Sequence, residues 1–168
     1  MGLTDSFSVT KERQDRILQL MGDRVSDFGE HQGDFWIRVD GRDLLSCVDM
    51  LAQDPACAFD HFVDLCGVDY LGRQTPRFES VVHLYSMANK HRVRIRVTVP
   101  DETLTVPSLT GRWAAANWQE RESFDMYGIR YEGHPNLDRI LSPPETEIFA
   151  QRKDYALKGD REKKEVEV

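Results

Sequence analysis

The chain has 168 residues, 40% of them apolar and 30% charged, with a net charge of −7. That length allows one domain with a real core and no covalent staples. The acidic balance argues against nucleic acid and against direct adsorption to anionic lipid, which both reward clustered Lys and Arg, and no apolar run approaches the roughly 18 residues that span a bilayer.

Residues 1–9 read as a loose start, and MGLTDSFSVTKERQDR lacks the apolar core of a signal peptide, which predicts a cytoplasmic chain. A helix is predicted from Lys11 to Met21, capped by Thr10 and stopped by Gly22, with Ile17, Leu18 and Met21 as its apolar stripe. Phe35 to Val39 alternates as a strand does, and Asp40-Gly41 breaks it. Leu44, Leu45, Val48, Leu51 and Ala52 recur at helical spacing, so residues 42–53 read as an amphipathic helix that Pro55 ends. FVDLCGVDY, residues 62–70, reads as a short strand with a bulge or bend at Gly67. Cys47, Cys57 and Cys66 contain no CxxC spacing. The zinc, iron–sulfur and dithiol patterns therefore fail, and buried free thiols are expected.

After a loop, LGRQTPR, two strands follow at Phe78–Ser86 and Arg92–Val99, joined by MANKH as an antiparallel hairpin. Val93, Ile95, Val97 and Val99 fall on one side of the second strand, and Arg92, Arg94, Arg96 and Thr98 on the other. That cationic side has two readings: charge that keeps an exposed strand from pairing edge to edge, or a docking face for an acidic partner. Pro100 and Pro107 bracket a polar loop, and SLTGRWAAA, residues 108–116, reads as a short helix or turn anchored by Trp113.

Charge, two glycines and a His-Pro step then concentrate in NWQERESFDMYGIRYEGHPNLDRIL, residues 117–141. Asn117 and Glu120 have the spacing of a capping box, and Gly128 sits where a left-handed C-cap belongs, so a helix is expected over Trp118–Tyr127. Arg121 and Asp125 are spaced to pair along it. Propensity does not explain the acids, so Glu122 and Asp125 are expected to clamp the following loop and a partner surface, with Arg130, His134 and Arg139 as candidate partners. An active-site reading would use Glu122, Asp125 and His134 as a metal site or acid–base pair. Against it, the chain has no HExxH, ExxH, glycine elbow or phosphate loop, and His83 in a strand and His91 in a turn read as structural.

ERESFDMYGIRYEGHPNLDRIL resembles the signature of the 30 kDa (C-type) subunit family of respiratory complex I: ERExxD, a glycine, GHP and RIL at matching spacing. FVDLCGVDY, RFESVVHLYS and the Ala-Asn-Trp118 approach resemble further family segments, so the likeness spans roughly Phe35 to Tyr155. Arg152 to Tyr155 match a later family element, but the Gly-His-Pro that usually precedes it is absent, and Ala156 replaces the usual proline. The resemblance implies a two-layer α+β fold, with a mixed, mostly antiparallel sheet covered by helices. It places the domain in residues 1–141 and an extended, charged C-terminal segment in residues 142–168. It implies a separate, non-catalytic structural subunit of the peripheral arm of an NADH–quinone oxidoreductase. FMN, iron–sulfur clusters and quinone would lie in partner subunits. The nearest partner would be the quinone-site (49 kDa, D-type) subunit, on the cytoplasmic side of the membrane. Interface and motif residues would be Glu120, Arg121, Glu122, Asp125, Tyr127, Gly128, Gly133, His134, Pro135 and Arg139. Trp118, Phe124, Ile140 and Leu141 would bury against the sheet or a partner. The alternatives are the equivalent subunit of a related membrane-bound hydrogenase, a stand-alone acid–base enzyme, or a generic α+β binding module.

Overall fold

The computed structural model describes residues 8–156, so the expectations placed on the first residues and on the charged tail KGDREKKEVEV lie outside the described residues. Helix α1 runs Lys11–Met21 and buries Ile17 and Met21. Thr10 stands at its start, but contributes its backbone: its carbonyl accepts from the Gln14 N–H at 2.9 Å, while its hydroxyl makes no capping bond. Gly22 ends the helix at a positive φ of 55°. Strand β1, Val25–His31, escapes sequence reading because nearly all of it is exposed and no alternation marks it. It exists by pairing antiparallel with β2, Asp34–Asp40. Helix α2, Leu44–Gln53, follows a tight turn at Gly41–Asp43 and turns Leu44, Cys47, Val48 and Leu51 inward.

Strands β3 (His61–Asp69), β4 (Phe78–Ser86) and β5 (His91–Val99) complete a five-stranded sheet of order β1-β2-β5-β4-β3. Within this sheet only the β2–β5 pair is parallel. One face of the sheet is apolar. Phe35, Ile37, Val39, Leu65, Val82, Leu84, Val93, Ile95, Val97 and Val99 share one buried cluster with the stripes of α1 and α2. Each such side chain removed from water contributes roughly 1.5–3 kcal/mol, so this layer carries the fold. The arrangement is α+β: a mixed, mostly antiparallel sheet under helices. Among the described residues no helix is long and apolar enough to cross a membrane.

The uncovered face corrects two expectations. Strand β5 lies in the middle of the sheet, so its arginines protect no edge. Nor do they present free charge. Arg38 and Arg96 both donate to the fully buried Glu79, at 3.0 and 2.8 Å, and Arg92 and Arg94 share Asp34, at 2.5 and 3.3 Å. Arg94 Nε also donates to His83 Nε2 at 2.8 Å, which leaves the proton of a neutral His83 ring on Nδ1, facing Asp64 at 2.5 Å. The acids that neutralise this face come from other strands, which a reading of β5 alone does not see.

The bulge expected at Gly67 is absent; the register shift in β3 falls between Phe62 and Asp64. Cys47 and Cys57 are buried thiols as expected, whereas Cys66 is exposed on the uncovered face. His91 does not sit in a turn. It opens β5, is buried, and packs its ring 4.7 Å from Phe59. Its Nε2 hydrogen bonds to the Cys57 carbonyl at 3.0 Å, while Nδ1 finds no partner among the described residues. Burial holds its pKa below the ordinary 6.5, against the Cys57 hydrogen bond, and the second N–H of a charged ring, at Nδ1, would have no acceptor among the described residues. The folded state then binds fewer protons than the unfolded chain, so this contribution is complete above pH 6.5 and is lost as pH falls below it. Urea unfolding at pH 7.5 and 5.0 should show a larger acid-induced loss of stability in the wild type than in His91→Gln. Equal losses would assign the acid sensitivity elsewhere.

Candidate assembly interface

The motif helix, α3, runs Ala116–Tyr127 and packs along β3 at the end of the sheet. Asn117 is not its cap. The turn at Trp113 winds straight into the helix, with the Ala116 N–H donating to the Trp113 carbonyl at 3.0 Å, so Ala115 takes the cap position without a side-chain bond. Trp113 is the anchor expected of it: its ring stacks 6.0 Å from Phe62 and its Nε1 donates to the Asp60 carbonyl. Two short parallel strands, β6 (Thr105–Pro107) and β7 (Arg130–Glu132), close the ends of this region; sequence reading left both as loop.

Freed from capping, the Glu120 carboxylate reaches across to the loop after β6. It accepts from Ser108 Oγ and from the Leu109 N–H, each at 2.6 Å, and is fully buried. Burial pushes its pKa up to about 7, against those two hydrogen bonds. Asp125, one and a half turns on, has the opposite balance. Burial would raise its pKa, but N–H donors from Ser142 (2.8 Å), Leu141 (2.7 Å) and Ile140 (3.0 Å), with the Arg139 guanidinium at 2.7 Å, hold it far below the usual carboxylate range.

The expected clamp on the following loop is therefore Asp125 with Arg139. Arg121 does not pair with Asp125; it donates to the Asp138 and Arg139 carbonyls, at 2.9 and 3.4 Å, and lies 5.1 Å over the Trp118 ring. Glu122 is exposed, with no hydrogen bond or ion pair to any described residue. Trp118 and Leu141, expected to bury, are 64% and 63% exposed, whereas Phe124 and Ile140 are half-buried. His134 accepts from the Asn136 N–H through Nδ1 and sets Nε2 3.2 Å from the Asn117 carbonyl, beside an exposed Pro135 and a Gly133 at φ 83°. Arg130 is exposed. The structure thus does not bring Glu122, Asp125 and His134 to one point, and among the described residues no three His, Cys, Asp or Glu side chains converge as metal ligands.

Gly128 does cap the helix in the left-handed conformation, at φ 80°, but has a second task. A Cβ there would lie 2.8 Å from the Phe149 ring and 2.6 Å from the Arg152 guanidinium. The segment after residue 148 folds back over this corner. Gln151 N–H and Arg152 Nε donate to the last carbonyls of α3, Met126 and Tyr127. Lys153 N–H donates to Asp69, and Asp154 pairs with Arg77 at 2.8 Å. Arg77 also binds Asp69 through both carboxylate oxygens, at 2.8 and 2.7 Å. The Arg152-Lys153-Asp154 element is a strap fastened to helix, sheet and loop together.

The model of the family described as respiratory-chain NADH dehydrogenase, 30 Kd subunit, matches residues 37–161. This chain belongs to that family. It is similar to the C-type subunit, second form, of the NADH-quinone oxidoreductase of Rhizobium meliloti, with 45% identity over 88% of this chain and 80% of that one. It is similar to the C-type subunit of the NADH-quinone oxidoreductase of Roseiflexus castenholzii, with 44% identity over 84% of this chain and 81% of that one. Among solved structures, the trypsin-resistant fragment of Nqo5 shares 29% identity with a TM-score of 0.61, covering 74% of this chain and 99% of that one. A chain of the archaeal membrane-bound sulfane sulfur reductase has a TM-score of 0.71 over 94% of this chain and 91% of that one; at 18% identity the likeness is one of fold.

For this 30 kDa family member, several important residues are not among those that the signature singled out. Gly67 lets α3 approach β3: a Cβ there would meet the Tyr127 ring at 2.5 Å and Ser123 Oγ at 2.8 Å. Above that contact, Tyr131 OH donates to Ser123 Oγ at 2.9 Å and stands 3.0 Å from Ser80 Oγ, linking β7, α3 and β4 inside the core. Ser108, Asp69, Arg77 and Phe149 hold the flanking segments. A lone glycine inside a strand pattern was the one local sign available.

Proposed function

We propose that this chain is a non-catalytic structural subunit in the peripheral arm of an NADH–quinone oxidoreductase, which passes electrons from NADH to quinone while protons are moved. FMN, the iron–sulfur clusters and the quinone belong to partner subunits. The chain docks on the quinone-site (49 kDa, D-type) subunit, faces the cytoplasmic side of the membrane, binds no nucleic acid, and reaches the membrane only through the complex. One observation carries this reading. The motif uses its buried acids to fix backbone, and among the described residues it leaves Trp118, Glu122 and Leu141 exposed along the α3 flank, with Arg121 half-buried beside the Trp118 ring. Exposed Trp beside Arg is the composition of an interface anchor.

A tagged full chain, recovered from gently solubilised membranes, should bring the quinone-site subunit and iron–sulfur subunits with it. Recovery of the chain alone, with bound cofactor or turnover, would end the proposal. Trp118→Ala should lower the amount of assembled complex at least several-fold while changing the stability of the isolated chain by under about 1 kcal/mol, because the ring gives up only a surface cation–π contact. Met87→Ala, equally exposed but on the β4–β5 turn, should alter neither quantity. Equal assembly in the two variants would remove the α3 flank from the interface.

A further inference from the structure

Glu120 and Asp125 are both fully buried carboxylates on one helix, yet they are held differently. Asp125 has a guanidinium and three N–H donors. Glu120 has one N–H and one hydroxyl, and among the described residues no Lys, Arg or His makes a hydrogen bond or ion pair with it. The hydroxyl is the beginning of a chain. Ser108 Oγ is 2.6 Å from Glu120 Oε2 and 2.7 Å from Thr110 Oγ1, and it accepts from the Thr110 N–H at 3.1 Å. Ser108 is buried and Thr110 is half-exposed, so the chain of hydroxyls runs from the buried acid to the surface.

We propose that Glu120, Ser108 and Thr110 form a proton-binding site, in which the buried carboxyl takes up and gives back one proton through two hydroxyls while the junction between β6 and α3 stays closed. In the ionised state Ser108 O–H donates to Glu120 Oε2, and Ser108 Oγ accepts from the Thr110 hydroxyl and N–H. Protonation adds one proton from water at Thr110 Oγ1. Thr110 passes its own hydroxyl proton to Ser108 Oγ, and Ser108 passes its proton to Glu120 Oε2. In the product Glu120 O–H donates to Ser108, Ser108 O–H donates to Thr110, and Thr110 O–H faces solvent. Ser108 donates once and accepts twice in both states, and Oε1 keeps the Leu109 N–H throughout. No buried polar atom is orphaned in either state, so neither state carries the penalty of an unsatisfied donor or acceptor, and burial alone sets the balance between them.

The surrounding elements leave this equilibrium to burial. Strand β7 supplies the Tyr131 phenol, whose hydroxyl is engaged by Ser123 and Ser80, and Glu132, whose carbonyl accepts from the Ser108 N–H. His134 turns to the Asn117 carbonyl. On α3 Arg121 turns outward to Asp138 and Arg139, and Arg112 in the loop pairs with Asp49 of α2. The raised pKa of Glu120, about 7, agrees with a site that exchanges its proton near neutrality. This site is independent of the assembly role.

Carbon-13 NMR of the glutamate carboxyls of the purified full chain, between pH 4 and pH 9, tests the proposal. Glu120 is assigned through its own backbone, so no variant has to fold. Its midpoint should lie well above the ordinary glutamate value near 4.5. Thr110→Val should lower that midpoint, because the acid state loses the acceptor for Ser108 O–H. Thr110→Ser should restore it, and Ser108→Ala should raise it by removing the donor to the ionised form. A Glu120 midpoint near the ordinary 4.5, or one that Thr110→Val leaves unmoved, would overturn the site.

Discussion

Asp125→Ala should lower the unfolding free energy of the purified chain by about 3–5 kcal/mol, the effect of removing one partner from a buried charge cluster. The variant strands a guanidinium that is largely out of water and leaves the N–H groups of Ile140, Leu141 and Ser142 without their acceptor. Asp125→Asn should cost less, because the amide oxygen still accepts, but it loses the charge assistance. The contribution is also pH-dependent. The folded pKa lies below the unfolded value near 3.8, so the stability is fully present above that pH and is lost as pH falls below it. Urea unfolding gives the free energy, and amide exchange at residues 140–142 locates it. A loss below about 1 kcal/mol, or unchanged protection at those amides, would show that Asp125 does not hold the loop.

Gly67→Val should destabilise the chain by about 2–3 kcal/mol through overpacking, although valine suits a strand better than glycine. The added carbons meet the Tyr127 ring and the Ser123 hydroxyl, so α3 must move off β3 or Tyr127 must leave its position. Moving α3 also pulls Gln119 from the Leu65 N–H that it caps on the edge of β3. Adding Tyr127→Ala should recover part of the loss, because one of the two obstructing groups is gone. The double-mutant cycle should therefore be non-additive by roughly 1 kcal/mol or more. Additivity would place the strain elsewhere. The same cycle bears on the proposed assembly role, since a displaced α3 carries Trp118 and Arg121 with it and should weaken the complex as well as the chain.

What was legible without coordinates depended on contacts made within a few residues. The stripe of α1, Leu44, Val48 and Leu51 of α2, the valines of β5 and the left-handed cap at Gly128 follow from short-range periodicity and backbone sterics, and they stand in the fold as expected, whereas Leu45 of the expected α2 stripe is exposed. The signature also named its family, because so long a motif is specific whatever its residues do. Partners were not legible. Asp125 chose Arg139 over the helix neighbour Arg121, Glu120 chose Ser108 over the Asn117 cap, and the arginines of β5 found acids on β2 and β4. A charged side chain takes the donor or acceptor that is closest once the backbone is placed, and those distances exist only after the sheet order and the path of α3 are set. Exposure followed the same rule: Trp118 and Leu141 carry core-type side chains, and only the packed structure decided that nothing among the described residues buries them.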